Sequence, residues 1–113
     1  MRFLLIGEDI GYGGPVNPME LAATLENVYI PSFEILAKWE SDKKITGGFF
    51  AAQRAGAFII DAPSGEELSK WMTGLPFWGT LNWKVIPLQS FRSGIDDAKT
   101  QAGQLKSFGN LKR

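Results

Sequence analysis

The chain has 113 residues, a length suited to one domain with a real hydrophobic core. Twelve basic residues balance twelve acidic ones, so the chain lacks the basic field that a general nucleic-acid binder needs to release counterions, or that a polybasic membrane clamp needs. There is no cysteine and no histidine, which excludes a disulfide framework, a thiolate site and the commonest catalytic base and metal ligand.

In chain order, residues 3–8 form a short apolar run ended by a glycine-rich loop, and predict a buried strand. The apolar part is too short for a signal peptide and Glu8-Asp9 follows at once. No stretch approaches the roughly 20 apolar residues of a membrane span. A cytoplasmic protein is expected. Gly11-Tyr12-Gly13-Gly14 lies where a phosphate loop would sit, but it matches neither G-x-G-x-x-G nor the lysine-bearing P-loop. A flexible loop or lid is the better reading. Asn17 then stands as an N-cap, with Pro18 at the first helical position and Glu20 three residues after the cap. Leu21, Leu25, Val28, Ile35 and Trp39 give the helix an apolar stripe. Pro31 predicts a kink or break near residues 28–30, because proline lacks the backbone donor and crowds the preceding turn.

Residues 45–52 and 57–62 read as two strands, joined by Gln53-Arg54-Ala55-Gly56 with the glycine at positive φ. Ser64 and Glu67 make a capping box. It predicts a second helix over 65–73, stopped by Gly74. Leu75-Pro76 turns the chain into a last strand over 80–88. The order is β-α-β-β-α-β, an α+β ferredoxin-like sandwich. In the last strand Leu81, Trp83 and Val85 share one side, and Asn82, Lys84, Ile86 and Leu88 the other. A sheet with apolar groups on both faces predicts a partner, so a homodimer is expected. The domain is taken as residues 1–90. The pattern predicts a helical tail over residues 91–113, with Ser93 as a cap and Ile95, Ala98, Ala102 and Leu105 on one face.

The run Phe58-Ile59-Ile60-Asp61-Ala62-Pro63-Ser64, then Glu67-Leu68, Leu75-Pro76-Phe77-Trp78 and Val85-Ile86-Pro87-Leu88, resembles the muconolactone isomerase family without gaps. The first strand and Asp9 also fit, so the resemblance covers most of residues 1–90. It implies a dimeric α+β barrel, self-association through the sheet or into higher oligomers, and a pocket for a small carboxylate or lactone. The chemistry implied is proton removal beside a carbonyl and reprotonation elsewhere, without metal or cofactor. Where the family commonly carries arginines, this chain has Gly7 and Phe49-Phe50. Where a histidine usually follows the closing Pro-Leu, it has Gln89-Ser90-Phe91-Arg92, and the last-strand acids are Asn82 and Lys84.

Five residues are singled out for a site. Glu8, at a strand end, is the candidate base. Tyr29, before the proline, and Asn82, in the last strand, are candidate stabilisers of an enolate. Trp78, in the turn before the last strand, and Arg54, beside the hairpin, are candidate ligand-binding groups. Each has a plain structural role as its alternative: a solvated strand end, a core phenol, an interface amide, a core indole and an exposed turn arginine. Two functions are carried forward. One is a cofactor-free isomerase acting on a small apolar carbonyl or lactone compound, with a cofactor-free monooxygenase as a variant by fold analogy. The other is a non-catalytic homodimeric module that binds a small molecule or a protein. The resemblance favours the first; the missing histidine, cysteine and family arginines favour the second.

Overall fold

The structure, a computed structural model, describes residues 1–9 and 17–111. Four strands, β1 (Arg2–Asp9), β2 (Ile45–Phe49), β3 (Ala55–Asp61) and β4 (Leu81–Leu88), form one sheet in the order β2-β3-β1-β4. Every neighbouring pair is antiparallel. The helices are α1 (Pro18–Thr24), α2 (Ile30–Ser41), α3 (Gly65–Thr73) and α4 (Phe91–Leu111). The ferredoxin-like β-α-β-β-α-β order is thus present, followed by a C-terminal helix. The glycine-rich loop named above falls in residues 10–16, outside the described residues. No helix among the described residues is long and apolar enough to cross a membrane.

Strand alternation decides which side chains meet the helices. Phe3, Leu5 and Gly7 of β1 are buried on one face, as are Phe58 and Ile60 of β3. They pack with Ile45, Leu68, Met72, Leu75 and Phe77 into the core. Each such large side chain contributes about 1.5–3 kcal/mol on full burial. Leu68 and Met72 lie one turn apart on α3, whose N-cap Ser64 accepts from the Glu67 amide at 3.2 Å. That helix has the bounds the capping box predicts. The opposite sheet face carries Leu4, Ile6, Ile59, Ile86 and Leu88 among Arg2, Glu8, Asn82 and Lys84; Ile86 is exposed there and the other four apolar residues are only half-buried.

The regular α-helix is interrupted near residues 28–30, where Pro31 predicts a kink or break, but the chain stays helical through the interruption. Residues Leu25–Tyr29 form a π-turn between α1 and α2, in which the Ile30 amide bonds the Leu25 carbonyl five residues back. The wider turn makes room for the proline ring where an α-turn would clash. Ser32 completes the arrangement. Fully buried, its hydroxyl donates to the Val28 carbonyl at 2.8 Å and accepts the Phe77 amide at 3.0 Å. One side chain thereby satisfies a helix carbonyl and ties the helix to the turn before β4.

The hairpin is shifted from the expected register. β2 ends at Phe49, β3 starts at Ala55, and Ala52, not Gly56, takes the positive φ of 59°. Gly56 is a strand residue, paired with Gly7 on one side and Phe49 on the other. Residues Trp78–Thr80 form a short 3-10 turn ahead of β4. At the C-terminal helix, Ser90 rather than Ser93 supplies the cap: its hydroxyl accepts the Ser93 amide at 3.1 Å, so the helix begins at Phe91.

Candidate functional site

A cavity of about 690 Å³ lies between the sheet and the α1–α2 helix. Its volume falls within the usual range for a small-molecule pocket. Local sequence explains why space is left there. The Trp83–Gly7–Gly56–Phe49 row crosses all four strands on the helix-facing side. The two central positions carry no side chain, so nothing rises from the middle of the sheet to fill the gap. A Cβ on Gly7 would come within 2.9 Å of the Trp83 ring, so the glycine lets the indole pass close over the strand. A Cβ on Gly56 would meet the Phe49 ring at 3.6 Å.

The helix side is built by Leu21, Leu25, Tyr29 and Phe33, spaced four apart, with Leu36 after them. A π-turn advances less per residue than an α-turn, and it keeps residues four apart nearly in line across the proline. Phe33 meets Phe49 edge-on at 4.9 Å, which joins α2 to β2 along one side of the pocket. Phe77 stands edge-on to Tyr29, Phe33 and Trp83 at 6.1, 5.9 and 5.5 Å. Most of the wall is therefore aromatic or aliphatic.

Asp9 and Arg54 sit together at one end. Asp9 follows Gly7 by two residues on β1, and so points to the same side. Its carboxylate is only 15% exposed and lies 3.6 Å from the guanidinium of Arg54. The Asp9 amide also donates to the Arg54 carbonyl at 3.0 Å, which anchors the hairpin to the end of β1. Glu40 and Gln53 line the pocket as well. Among the described residues no group of three acidic side chains gathers as a metal site would require.

The five residues chosen from the sequence divide between two faces. Tyr29 and Arg54 line the pocket. Glu8 and Asn82 are brought opposite one another as a cross-strand pair, but on the other face of the sheet, and both are exposed. Strand parity is the reason: with Phe3, Leu5 and Gly7 turned to the helices, Glu8 turns away. Trp78 does not line the pocket. It stacks on Trp83 at 5.2 Å and 22°, and its carbonyl accepts the Trp83 indole N–H at 3.0 Å. It holds the wall from behind. Sequence reasoning missed Asp9 as a site group, and missed the roles of Gly7, Phe33 and Phe49. The signal for Asp9 was the same alternation that assigned the strand.

No family model matches the chain, and no curated protein does. Among solved structures it is similar to a crystal structure of muconolactone isomerase, with a TM-score of 0.62 and 16% sequence identity. The match covers 80% of this chain and 90% of that one. The chain has a muconolactone isomerase-like fold, in keeping with the resemblance over residues 58–88.

Proposed function

We propose that the protein is a cofactor-independent isomerase that moves a proton within a small, mostly apolar carbonyl or lactone compound held between sheet and helix. The observation that carries this reading is the Asp9 carboxylate, largely covered at the end of an apolar pocket and faced by Arg54. Asp9 takes the proton from the carbon beside the carbonyl. The electron pair moves into the carbonyl, and the resulting enolate oxygen needs a donor. Arg54 and Tyr29 are the donors on the pocket wall. Asp9 then returns the proton to a different carbon of the conjugated system, so atoms and charge balance without an external reagent. The likeness in fold to muconolactone isomerase supports the same class of chemistry. Glu8 and Asn82 have no part in it, because they stand on the other sheet face.

The test is hydrogen exchange followed by NMR in D2O, with butenolide lactones and small keto acids. Exchange beside the carbonyl should exceed background, and Asp9→Asn should lower it by roughly 10² to 10⁴-fold, the range for loss of a positioned base. Exchange unaltered in that variant would overturn the assignment. The predominance of apolar groups in the lining favours a second reading, a non-catalytic binding module. It predicts saturable ligand binding with no exchange above background.

We also propose that the chain works as a homo-oligomer. Support comes from α4, whose Phe91, Ile95, Leu105 and Phe108 are exposed, and from the apolar residues on the uncovered sheet face.

A further inference from the structure

We propose that the pocket selects flat, fused-ring aromatic molecules that carry one hydrogen-bonding group at the end nearest Asp9. This rests on the proposed site and narrows its substrate class. The argument starts from the cross-sheet row of Trp83, Gly7, Gly56 and Phe49. Gly7 has no side chain to hold the Trp83 indole off the sheet; a Cβ on Gly56 would crowd the Gly48 carbonyl oxygen at 3.0 Å and only touch the Phe49 ring, at 3.6 Å. The row therefore offers a low floor with an aromatic ring at each flank. The cavity's volume of about 690 Å³ gives room for fused rings and is more than one small lactone fills.

The opposite wall supplies the complement. Tyr29 and Phe33 come from the helix, tilted 54° to one another, while Phe77 meets Tyr29, Phe33 and Trp83, and Phe49 meets Phe33, edge-on at interplanar angles from 75° to 90°. A planar π-system can stack on one ring while others present their edges to it, the two arrangements aromatic pairs favour. A saturated ring system of the same skeleton gains burial but neither of those geometries. At one end Asp9 stands two residues along β1 from Gly7, about 7 Å from the floor's centre. Its ion pair with Arg54 offers an acceptor and a donor at that point. A ligand hydroxyl or carbonyl on the outer ring meets one or the other.

A matched set of alcohols tests this by titration calorimetry on the full chain: 2-naphthol, its fully saturated counterpart decahydro-2-naphthol, and phenol. The expected result is that 2-naphthol binds at least tenfold more tightly than either of the others. Phe49→Leu, at a side chain that is 69% exposed and dispensable for the core, should cut the preference over the saturated alcohol below threefold. Equal binding of the planar and saturated alcohols, or no binding of either while lactone exchange proceeds, would overturn the inference and leave the isomerase reading standing. Selective 2-naphthol binding with no exchange on any carbonyl compound would do the reverse: the ligand class stands and the catalytic reading falls.

Discussion

Glu8 and Asp9 are neighbours in sequence and both acidic, yet they belong to opposite faces of the sheet. Asp9 shares its side with Gly7 and the pocket; Glu8 shares its side with Asn82. The strand itself was legible from its apolar run, and the alternation that distinguishes the two acids was legible too. What sequence did not convey was which face the helices would cover, because Leu4, Ile6 and Ile59 make the other face apolar as well. Glycines divide in the same way. A Cβ on Gly47 would lie 2.1 Å from the Ala57 carbonyl oxygen, whereas at Gly48 it would meet nothing within 4 Å. Gly47→Ala should therefore destabilise the fold by about 1–3 kcal/mol or more, the cost of overpacking. Gly48→Ala should change stability much less, and urea denaturation of the two variants measures the difference. Equal stability in the two would mean that β2 and β3 do not approach as closely as described.

At the scale of elements, the capped helix α3 and the strand order followed from local signals that act over three or four residues. Ser64 and its helix are the clearest case. The hairpin that sequence reading misplaced depends on contacts distant in the chain. Gly56 looked like a turn glycine, but it is drawn into β3 by pairing with Gly7 and Phe49, and the turn falls to Ala52 instead. Pro31 predicts a kink or break near residues 28–30; the interruption is there as a π-turn, and the Ser32 bridge to Phe77 ties the helix to the turn before β4. Ser32→Ala leaves the buried Phe77 amide without its acceptor, and should cost about 1–3 kcal/mol. The measurement is the denaturation midpoint by circular dichroism. A midpoint unchanged from the parent would show that the bridge adds nothing. Because the same bridge fixes the helix segment bearing Tyr29 and Phe33, the pocket wall should loosen with it.

For the whole molecule, the principal dimensions are 72 × 35 × 26 Å. The elongation comes with α4, a helix of 21 residues that spans about 32 Å at 1.5 Å per residue. Its residues from Ile95 to Asn110 are exposed, although helices in proteins draw most of their stability from packing an apolar face. In the proposed homo-oligomer, a second copy covers the apolar stripe of α4. Replacing Ile95 and Leu105 together by glutamate should shift the mass in light scattering toward the 12.5 kDa of one chain. A mass unchanged by the double substitution would remove α4 from the assembly.

The central claim is that the site lies on the helix-covered face of the sheet, at Asp9 and Arg54. Its most direct test compares two adjacent carboxylates under one assay, deuterium exchange of a butenolide lactone with Asp9→Asn and Glu8→Gln side by side. The account predicts that Asp9→Asn loses exchange and Glu8→Gln keeps the parent rate, with both variants folded by circular dichroism. Loss in Glu8→Gln with retention in Asp9→Asn would contradict it and move the chemistry to the uncovered face.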